Sequence, residues 1–207
     1  MSDRTGQTAP TNNYIQRIAY RAKQVHGDLL LNHHELDQLG IEKINTNPPP
    51  ADGVFIRVEA KQARESIEQS TTNINCQAAK VKQSAWVCTA DCVPVLIGDR
   101  NLGHVAAVHA GWRGTAAGIL TKAIAKFLSS GSQLEDLRIA LGPASSGEVY
   151  QVTEAVAEQV VATIAESIGV LPDQEPERCR LDLRAIQQQQ LREMGIAKPQ
   201  IAIAPYC

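Results

Sequence analysis

The sequence of 207 residues has few aromatic side chains and no large excess of charge of either sign. Aromatic residues make up 4% of the chain, and 20 Lys and Arg residues stand against 22 Asp and Glu residues, for a formal net charge of −2. Proteins that bind nucleic acids usually present a clustered basic surface, and those that bind single strands stack the bases on aromatic rings. The composition therefore predicts a protein without a nucleic-acid partner.

Long apolar runs and paired cysteines are also lacking. No apolar stretch approaches the roughly 20 residues that a membrane-spanning helix needs. The polar residues 1–10 are not followed by the apolar segment of a secretory signal. The five cysteines are an odd number without a CxxC pair, which is a poor basis for a disulfide framework. We therefore expect a cytoplasmic protein that has no membrane partner.

The chain divides into a polar start and a longer part in which predicted strands and helices alternate. We interpret residues 1–23 as a polar N-terminal segment and residues 24–207 as one domain, with a Gln-rich insertion near residues 57–82. Hydrophobic patterns elsewhere predict the following elements: strands at 138–142 and 200–206, and helices at 153–168 and 182–194. This alternation is typical of the α/β or α+β class.

A predicted hairpin brings a cysteine and a histidine together. Two apolar runs flank the turn sequence GDRNLG (98–103), and we expect Ile97 to lie opposite His104 across this turn. Cys92 then lies opposite His109 on the same face of the sheet, with Cβ atoms about 4.5–5.5 Å apart. At this separation a thiolate and an imidazole can bind one metal ion. The pair also suits a cysteine nucleophile with a histidine base, or two buried structural residues.

The sequence GWRGT, which starts two residues after His109, offers an anion site. Gly111 and Gly114 allow the backbone to bend, and Arg113 supplies a planar fork of donors. An amphipathic helix is predicted to begin near Thr115, which we interpret as its N-cap. A helix N-terminus beside an arginine suits phosphate. The alternative is a structural turn with a solvated arginine.

Several other motifs are absent or carry no signal. The sequence has no GxGxxG, no Walker A loop and no H-x-E…P-C-x-x-C signature of zinc deaminases. His33 and His34 lie in a polar stretch and are interpreted as surface residues. Cys76 and Cys88 are interpreted as structural residues. These absences leave the hairpin and the turn after it as the candidate site.

Several stretches occur in a distinctive order: QVHG (24–27), TADCVPVLI (89–97), VAAVHAGWRGTAAGI (105–119), LGPA (141–144) and VYQV (149–152). They resemble the YfiH-type family, also called the polyphenol-oxidase-like laccase-domain family or peptidoglycan editing factor. The resemblance implies a layered α/β (α+β) domain with a mixed sheet, flanking helices and a zinc site. The zinc ligands it implies are His26, Cys92 and His109. Three protein ligands leave one position open, as is typical of catalytic rather than structural zinc.

The resemblance also implies an activity. Family members are described as enzymes that use phosphate to split adenosine, inosine, guanosine or methylthioadenosine and that deaminate adenosine. With this activity, the substrates are small molecules. The candidate catalytic residues are Asp91, for proton transfer, and Arg113, for phosphate. The candidate substrate-binding residues are Gln24, Arg113, Gly114, Thr115 and Tyr150.

The sequence departs from the family pattern at both ends. Residues 1–23 do not match the usual start, the chain stops at Cys207 where members usually continue, and the region 57–82 is longer than usual. Three alternatives follow: a copper-dependent polyphenol oxidase at the same ligands, a zinc amidase that edits peptidoglycan precursors, and a non-catalytic remnant. Five histidines without an H-x-H pair are too few for an ordinary multicopper centre, although copper can replace zinc on such ligands.

Overall fold

The computed structural model describes residues 18–40, 46–58 and 83–207. Most of the predicted N-terminal segment and most of the predicted insertion lie outside the described residues. Ile18–Tyr20, at the end of the predicted N-terminal segment, forms a strand. None of the helices in the described part of the chain is long and apolar enough to cross a membrane.

The described residues alternate strands and helices, as the sequence predicts. The strands are β1 (Ile18–Tyr20), β2 (Leu30–Asn32), β3 (Gly53–Ile56), β4 (Gln83–Ala85), β5 (Val93–Asp99), β6 (Val105–Ala110), β7 (Leu137–Leu141), β8 (Gln151–Thr153), β9 (Val170–Pro172), β10 (Arg178–Leu181) and β11 (Ile201–Ile203). The α-helices are α1 (His33–Asp37), α2 (Trp112–Ala116), α3 (Ile119–Ser129), α4 (Glu154–Val161) and α5 (Leu183–Glu193). Two short 3₁₀ helices are Leu134–Asp136 and Lys198–Gln200.

The main sheet has six strands in the order β11-β7-β5-β6-β3-β2. The outer pairs β11–β7 and β3–β2 are parallel, whereas the pairs between them are antiparallel. The expected mixed sheet of an α/β (α+β) protein is therefore confirmed. The described residues also form a parallel pair, β1–β4, and a small antiparallel sheet, β8-β10-β9.

The central hairpin, β5–β6, forms with a register two residues away from the predicted one. Pro94, not Cys92, lies opposite His109. β5 extends two residues further than predicted, to Asp99, whereas β6 begins at Val105. The Asp99 carboxylate accepts hydrogen bonds from the Asn101 and Leu102 backbone N–H groups in the turn at 2.7 and 2.8 Å. A shift of two residues keeps each side chain on its face of the sheet. Cys92 is therefore not directly opposite His109 as predicted, but its ligand atom still lies within 4.8 Å of that of His109.

The two faces of the sheet are covered by different parts of the chain. Because side chains alternate along a strand, Phe55 packs in the larger core, which contains α3 and α5, while Val54 and Ile56 pack in a smaller core. The smaller core includes Tyr20 of β1 and Leu36 of α1. His109 alternates with buried Val108, which belongs to the larger core, so its side chain lies on the face of the smaller core.

The helix predicted after GWRGT is present, but Thr115 is not its N-cap. Instead, α2 begins after Gly111, and Gly118, in the left-handed region with φ 74°, separates it from α3. The apolar face that the sequence predicts for α3 is confirmed, since Ile119, Ala123, Ile124 and Phe127 are all buried. Thr115 lies inside α2, where its hydroxyl donates to the Gly111 carbonyl at 2.9 Å.

The two later helices are shorter than predicted. In α4, Thr153 caps the first turn by accepting a hydrogen bond from the Val156 backbone, and the helix ends at Val161. Beyond that end, the Thr163 hydroxyl donates to the Val160 carbonyl and competes with a helical hydrogen bond. In α5, Asp182 caps the start by accepting from the Ala185 backbone.

Candidate metal centre

Three side chains with metal-ligand chemistry converge at one end of the hairpin. They are His26, from the segment between β1 and β2, Cys92, just before β5, and His109, near the end of β6. One ligand atom of each lies within 4.8 Å of the other two. His26 is exposed, Cys92 is half-buried and His109 is buried, so the group opens to solvent on the His26 side.

The donor set fits a tetrahedral metal ion of borderline softness. Two ligands on one tetrahedral zinc lie about 3.5 Å apart, since Zn–N and Zn–S bonds are about 2.0–2.3 Å long. Separations of up to 4.8 Å therefore need only small side-chain rotations to close. Thiolate with imidazole suits Zn²⁺ or copper and is a poor set for Mg²⁺ or Ca²⁺, which prefer oxygen.

Asp52, which the sequence analysis missed, lies directly behind two of these ligands. Its carboxylate is fully buried, and Oδ1 lies 2.8 Å from Nδ1 of His109. The same carboxylate accepts backbone hydrogen bonds from Val25, His26 and Gly27 at 3.3, 3.0 and 2.7 Å. Burial alone would raise the pKa of Asp52, but these hydrogen bonds outweigh it and lower the pKa below its usual value.

The backbone around His26 and His109 leaves no room for extra side-chain atoms. A Cβ atom on Gly111 would lie 2.8 Å from Cys92 Sγ, and one on Gly114 would lie 2.8 Å from the Gly27 carbonyl oxygen. The glycines of GWRG were predicted to let the backbone bend. The structure adds that they allow close approach to the cysteine and to the segment that carries His26.

The alternative of a cysteine nucleophile is not favoured by the electrostatics. Burial raises the pKa of the Cys92 thiol, and the negative charges of Asp91 and Asp52 raise it further. A nucleophilic cysteine needs the opposite, because the thiolate is the reactive form. A bound metal cation lowers the pKa of a coordinating thiol, because it binds the thiolate directly. The site is therefore better suited to hold a metal ion than to form a covalent bond through sulfur.

Two of the predicted substrate-binding side chains have their polar groups engaged within the protein. The Gln24 amide donates to the Cys88 carbonyl at 2.6 Å and accepts from the Cys88 N–H at 2.7 Å. Thr115 is buried, and its hydroxyl accepts a hydrogen bond from Gln187 Nε2 at 2.9 Å. These contacts fix the segment before His26 and the turn after His109. A direct role of Gln24, Gly114 or Thr115 in binding substrate stays a prediction.

Three other predicted residues lie together on the open side of the site. Burial raises the pKa of the half-buried Tyr150, and the nearby negative charges of Cys92 and Asp91 raise it further, while Arg113 lowers it. Asp91 is exposed and accepts a hydrogen bond from the Ser145 hydroxyl at 3.2 Å. The exposed Arg113 guanidinium stacks on Trp112, 4.3 Å from the ring centroid. A carboxylate, a guanidinium and a phenol thus border the candidate metal ligands.

A second group, His33, His34 and Asp37, also has ligand atoms within 4.8 Å of one another. His33 was interpreted as a surface residue, but it is buried, and its Nδ1 accepts the Arg57 backbone N–H at 3.2 Å. This bond places the proton of a neutral imidazole on Nε2, which leaves no nitrogen lone pair for a metal. The first group is therefore the better metal site.

The chain is similar to several known proteins. A purine nucleoside phosphorylase of Synechocystis sp. is 44% identical over 210 residues, which cover 93% of this chain and 71% of the relative. A purine nucleoside phosphorylase of Mycobacterium bovis is 41% identical over 121 residues, which cover 58% of this chain and 46% of the relative.

Solved structures share the fold. YlmD from Geobacillus stearothermophilus has a TM-score of 0.74 and 24% identity, over 93% of this chain and 64% of its own. YfiH from Bacillus licheniformis has a TM-score of 0.72 and 24% identity, over 95% of this chain and 66% of its own. The chain thus spans less than two thirds of the length of either.

The family model described as multi-copper polyphenol oxidoreductase laccase matches residues 7–207, nearly the whole chain. The segments that carry His26, Cys92 and His109 all lie within the matched range. The chain therefore belongs to this laccase-like YfiH family, whose mixed α/β fold it shares.

Proposed function

We propose that the protein is a zinc-dependent purine nucleoside phosphorylase that also deaminates adenosine by hydrolysis. The observation that carries the proposal is the convergence of His26, Cys92 and His109 beside an open surface. The name of the Synechocystis relative, which is 44% identical, supports the nucleoside and phosphate substrates. We propose adenosine, inosine, guanosine and methylthioadenosine as the substrates.

The proposed role of the three ligands is to hold one Zn²⁺ ion. Three protein donors are one fewer than a tetrahedral zinc takes. When bound, zinc supplies a Lewis acid at which water becomes acidic near neutral pH. The multi-copper name of the family makes copper the competing metal. Metal analysis of protein that is expressed without added copper separates the two, and copper at one ion per chain would contradict the zinc proposal.

The proposed role of Arg113 is to bind phosphate. Its guanidinium is exposed, is placed by α2 and lies over the Trp112 ring. A planar guanidinium can donate two parallel hydrogen bonds to one phosphate group. Phosphorolysis forms a bond from a phosphate oxygen to the ribose C1′ while the bond from C1′ to the base breaks. Arg113 would orient the attacking oxygen and balance the phosphate charge.

The proposed roles of Asp91 and Tyr150 are proton transfer and substrate orientation. In phosphorolysis the leaving base takes up a proton, and in deamination a proton moves from water to the leaving amine. Asp91 is exposed close to Cys92 and is our candidate for both transfers. The phenol of Tyr150, whose pKa is raised above its usual value, is protonated at neutral pH, so it can donate a hydrogen bond to the nucleoside.

Chromatography of adenosine that has been incubated with the purified, zinc-loaded protein tests this function. We expect adenine to form only when phosphate is present, and inosine to form without phosphate. A matched sample of the Cys92→Ala variant controls for contaminating enzymes. Unchanged adenosine in a folded, zinc-loaded sample would contradict the proposal and direct attention to the amide bonds of cell-wall precursors or to a non-catalytic role.

A further inference from the structure

We infer that Asp52 is a positioning residue that holds both histidine ligands of the proposed metal centre in the form that binds metal. The inference rests on the metal site of the proposed function and is independent of the substrate. Asp52 immediately precedes Gly53, the first residue of β3, and its side chain is fully buried. It is not one of the three ligand residues.

The hydrogen bonds of the Asp52 carboxylate fill its acceptor capacity. Oδ1 accepts from His26 N–H at 3.0 Å and faces His109 Nδ1 at 2.8 Å. Oδ2 accepts from Gly27 N–H at 2.7 Å and from Val25 N–H at 3.3 Å. A carboxylate has about four acceptor sites, and four donors surround this one. Asp52 is therefore placed to orient the ligands rather than to bind the metal itself.

The contact with His109 sets which ring nitrogen can bind metal. A carboxylate without a proton can only accept, so the hydrogen between Asp52 and His109 belongs to Nδ1 of the imidazole. The neutral ring then has its lone pair on Nε2. The backbone adds a second link, since the His109 N–H donates to the Asp52 carbonyl at 2.7 Å. Both the tautomer and the position of His109 thus depend on one residue.

The contacts with the other segment fix His26 in an unusual backbone conformation. His26 has φ 59°, in the left-handed region that side chains with a Cβ atom rarely adopt. The N–H groups of Val25, His26 and Gly27 converge on the carboxylate, as backbone N–H groups do around a bound anion. The charge of Asp52 offsets the strain of this turn and keeps His26 near Cys92.

The experiment compares Asp52→Asn with Asp99→Asn in the full chain. Asp99 is a matched control because it is also buried and accepts two backbone hydrogen bonds. It lies at the end of β5 that is far from Cys92 and the proposed metal site. An asparagine at position 52 presents an N–H₂ group either to His109 Nδ1 or to the N–H groups of the His26 segment. The first orientation moves the imidazole proton to Nε2, and the second breaks the turn.

We expect Asp52→Asn to weaken Zn²⁺ binding by about 10- to 100-fold in a chelator competition assay. Asp99→Asn should bind Zn²⁺ as tightly as the wild type. Equal affinities for the two variants would overturn the inference. Since this readout needs no turnover, an inactive wild type that binds zinc tightly would contradict the proposed function and leave the role of Asp52 intact.

A second measurement does not depend on whether the variant folds. In the metal-free wild type under alkaline conditions, ¹⁵N NMR reports which nitrogen of the neutral His109 imidazole carries the proton. We expect the proton on Nδ1. A proton on Nε2 would overturn the inference, because the lone pair would then face Asp52 and not the other ligands.

Discussion

The sulfur of Cys92 occupies the space that a side chain at position 111 would need, and Gly111 leaves that space free. A Cβ atom on Gly111 would lie only 2.8 Å from Cys92 Sγ and 3.7 Å from His26 Cδ2. Protein atoms that are not bonded to one another avoid such a short carbon–sulfur distance. The glycine thus determines where the sulfur can lie, although it has no ligand atom.

Replacing Gly111 by alanine should therefore displace the sulfur. We expect Gly111→Ala to weaken metal binding by at least about tenfold, by analogy with other changes next to a ligand. Gly98→Ala is the control, since a Cβ atom on Gly98 would have nothing within 4 Å. Metal titration of both variants checks the prediction, and equal affinities would show that the sulfur can move without cost.

The thiol of Cys92 should be required for metal binding but not for folding. We expect Cys92→Ala to lose the metal ion and to keep a wild-type circular dichroism spectrum, because Cys92 is only half-buried and lies outside the strands. Cys88→Ala is a matched control, since Cys88 is exposed and contacts Gln24 through its backbone. One bound ion per chain in Cys92→Ala would contradict the ligand assignment.

The guanidinium of Arg113 should contribute more to phosphorolysis, in which phosphate is the co-substrate, than to deamination, in which water is. We expect Arg113→Ala to raise the phosphate concentration needed for half-maximal phosphorolysis, at least about tenfold for a lost charge-assisted hydrogen bond pair. Deamination should be spared. Arg138→Ala removes another exposed arginine, on β7, and serves as the control. A similar loss in both reactions would place Arg113 in a different role.

The buried phenol of Tyr20 should make stability fall at alkaline pH. Burial and the hydrogen bond to Asp37, at 2.5 Å, raise its pKa from 10.0 to about 12. A group whose pKa is higher in the folded state loses its stabilising effect as the pH rises from the unfolded value through the folded one. We expect this loss between the values 10.0 and about 12.

Thermal unfolding as a function of pH checks this expectation. The melting temperature of Tyr20→Phe should fall less steeply than that of the wild type over this range, because the variant has no phenol to ionise there. Tyr206→Phe, at a position that is 68% exposed, should behave like the wild type. Parallel curves of melting temperature against pH for all three proteins would show that ionisation of Tyr20 is not coupled to unfolding.

The sequence predicts the hairpin and its cysteine–histidine contact, but not the register. The apolar runs define the two strands, and side-chain alternation then places Cys92 and His109 on one face. The turn length depends on the Asp99 side chain, which binds the Asn101 and Leu102 backbone N–H groups. Local hydrophobic patterns contain no information on that hydrogen bonding. The two side chains are near each other although the predicted pairing was wrong, because an error of two residues keeps Cys92 on the same face of the sheet as His109.

Asp52 and His33 show why burial of polar residues is harder to predict. The run ADGVFI places one acidic residue at the start of an apolar strand, and this was the available signal for Asp52. Its donors come from residues 25–27 and from His109, which only the folded chain brings close. The polar sequence around His33 and His34 suggests exposure, yet His33 is buried, where it packs against Tyr20 and accepts a hydrogen bond from the Arg57 backbone.

The candidate metal ligands come from three separate segments of the chain, so an ion bound by all of them acts as a cross-link. It would join the segment around His26 to the start of β5 and to the end of β6. A ligand that binds only the folded state adds its binding free energy to the stability of the fold. Such a cross-link closes two loops of the chain, one from His26 to Cys92 and one from Cys92 to His109. The first is the longer and contains the predicted insertion. In the unfolded chain, doubling the length of a loop raises the entropic cost of closing it by only about 0.6 kcal/mol, so the cost of bringing these two ligands together depends only weakly on the length of the insertion.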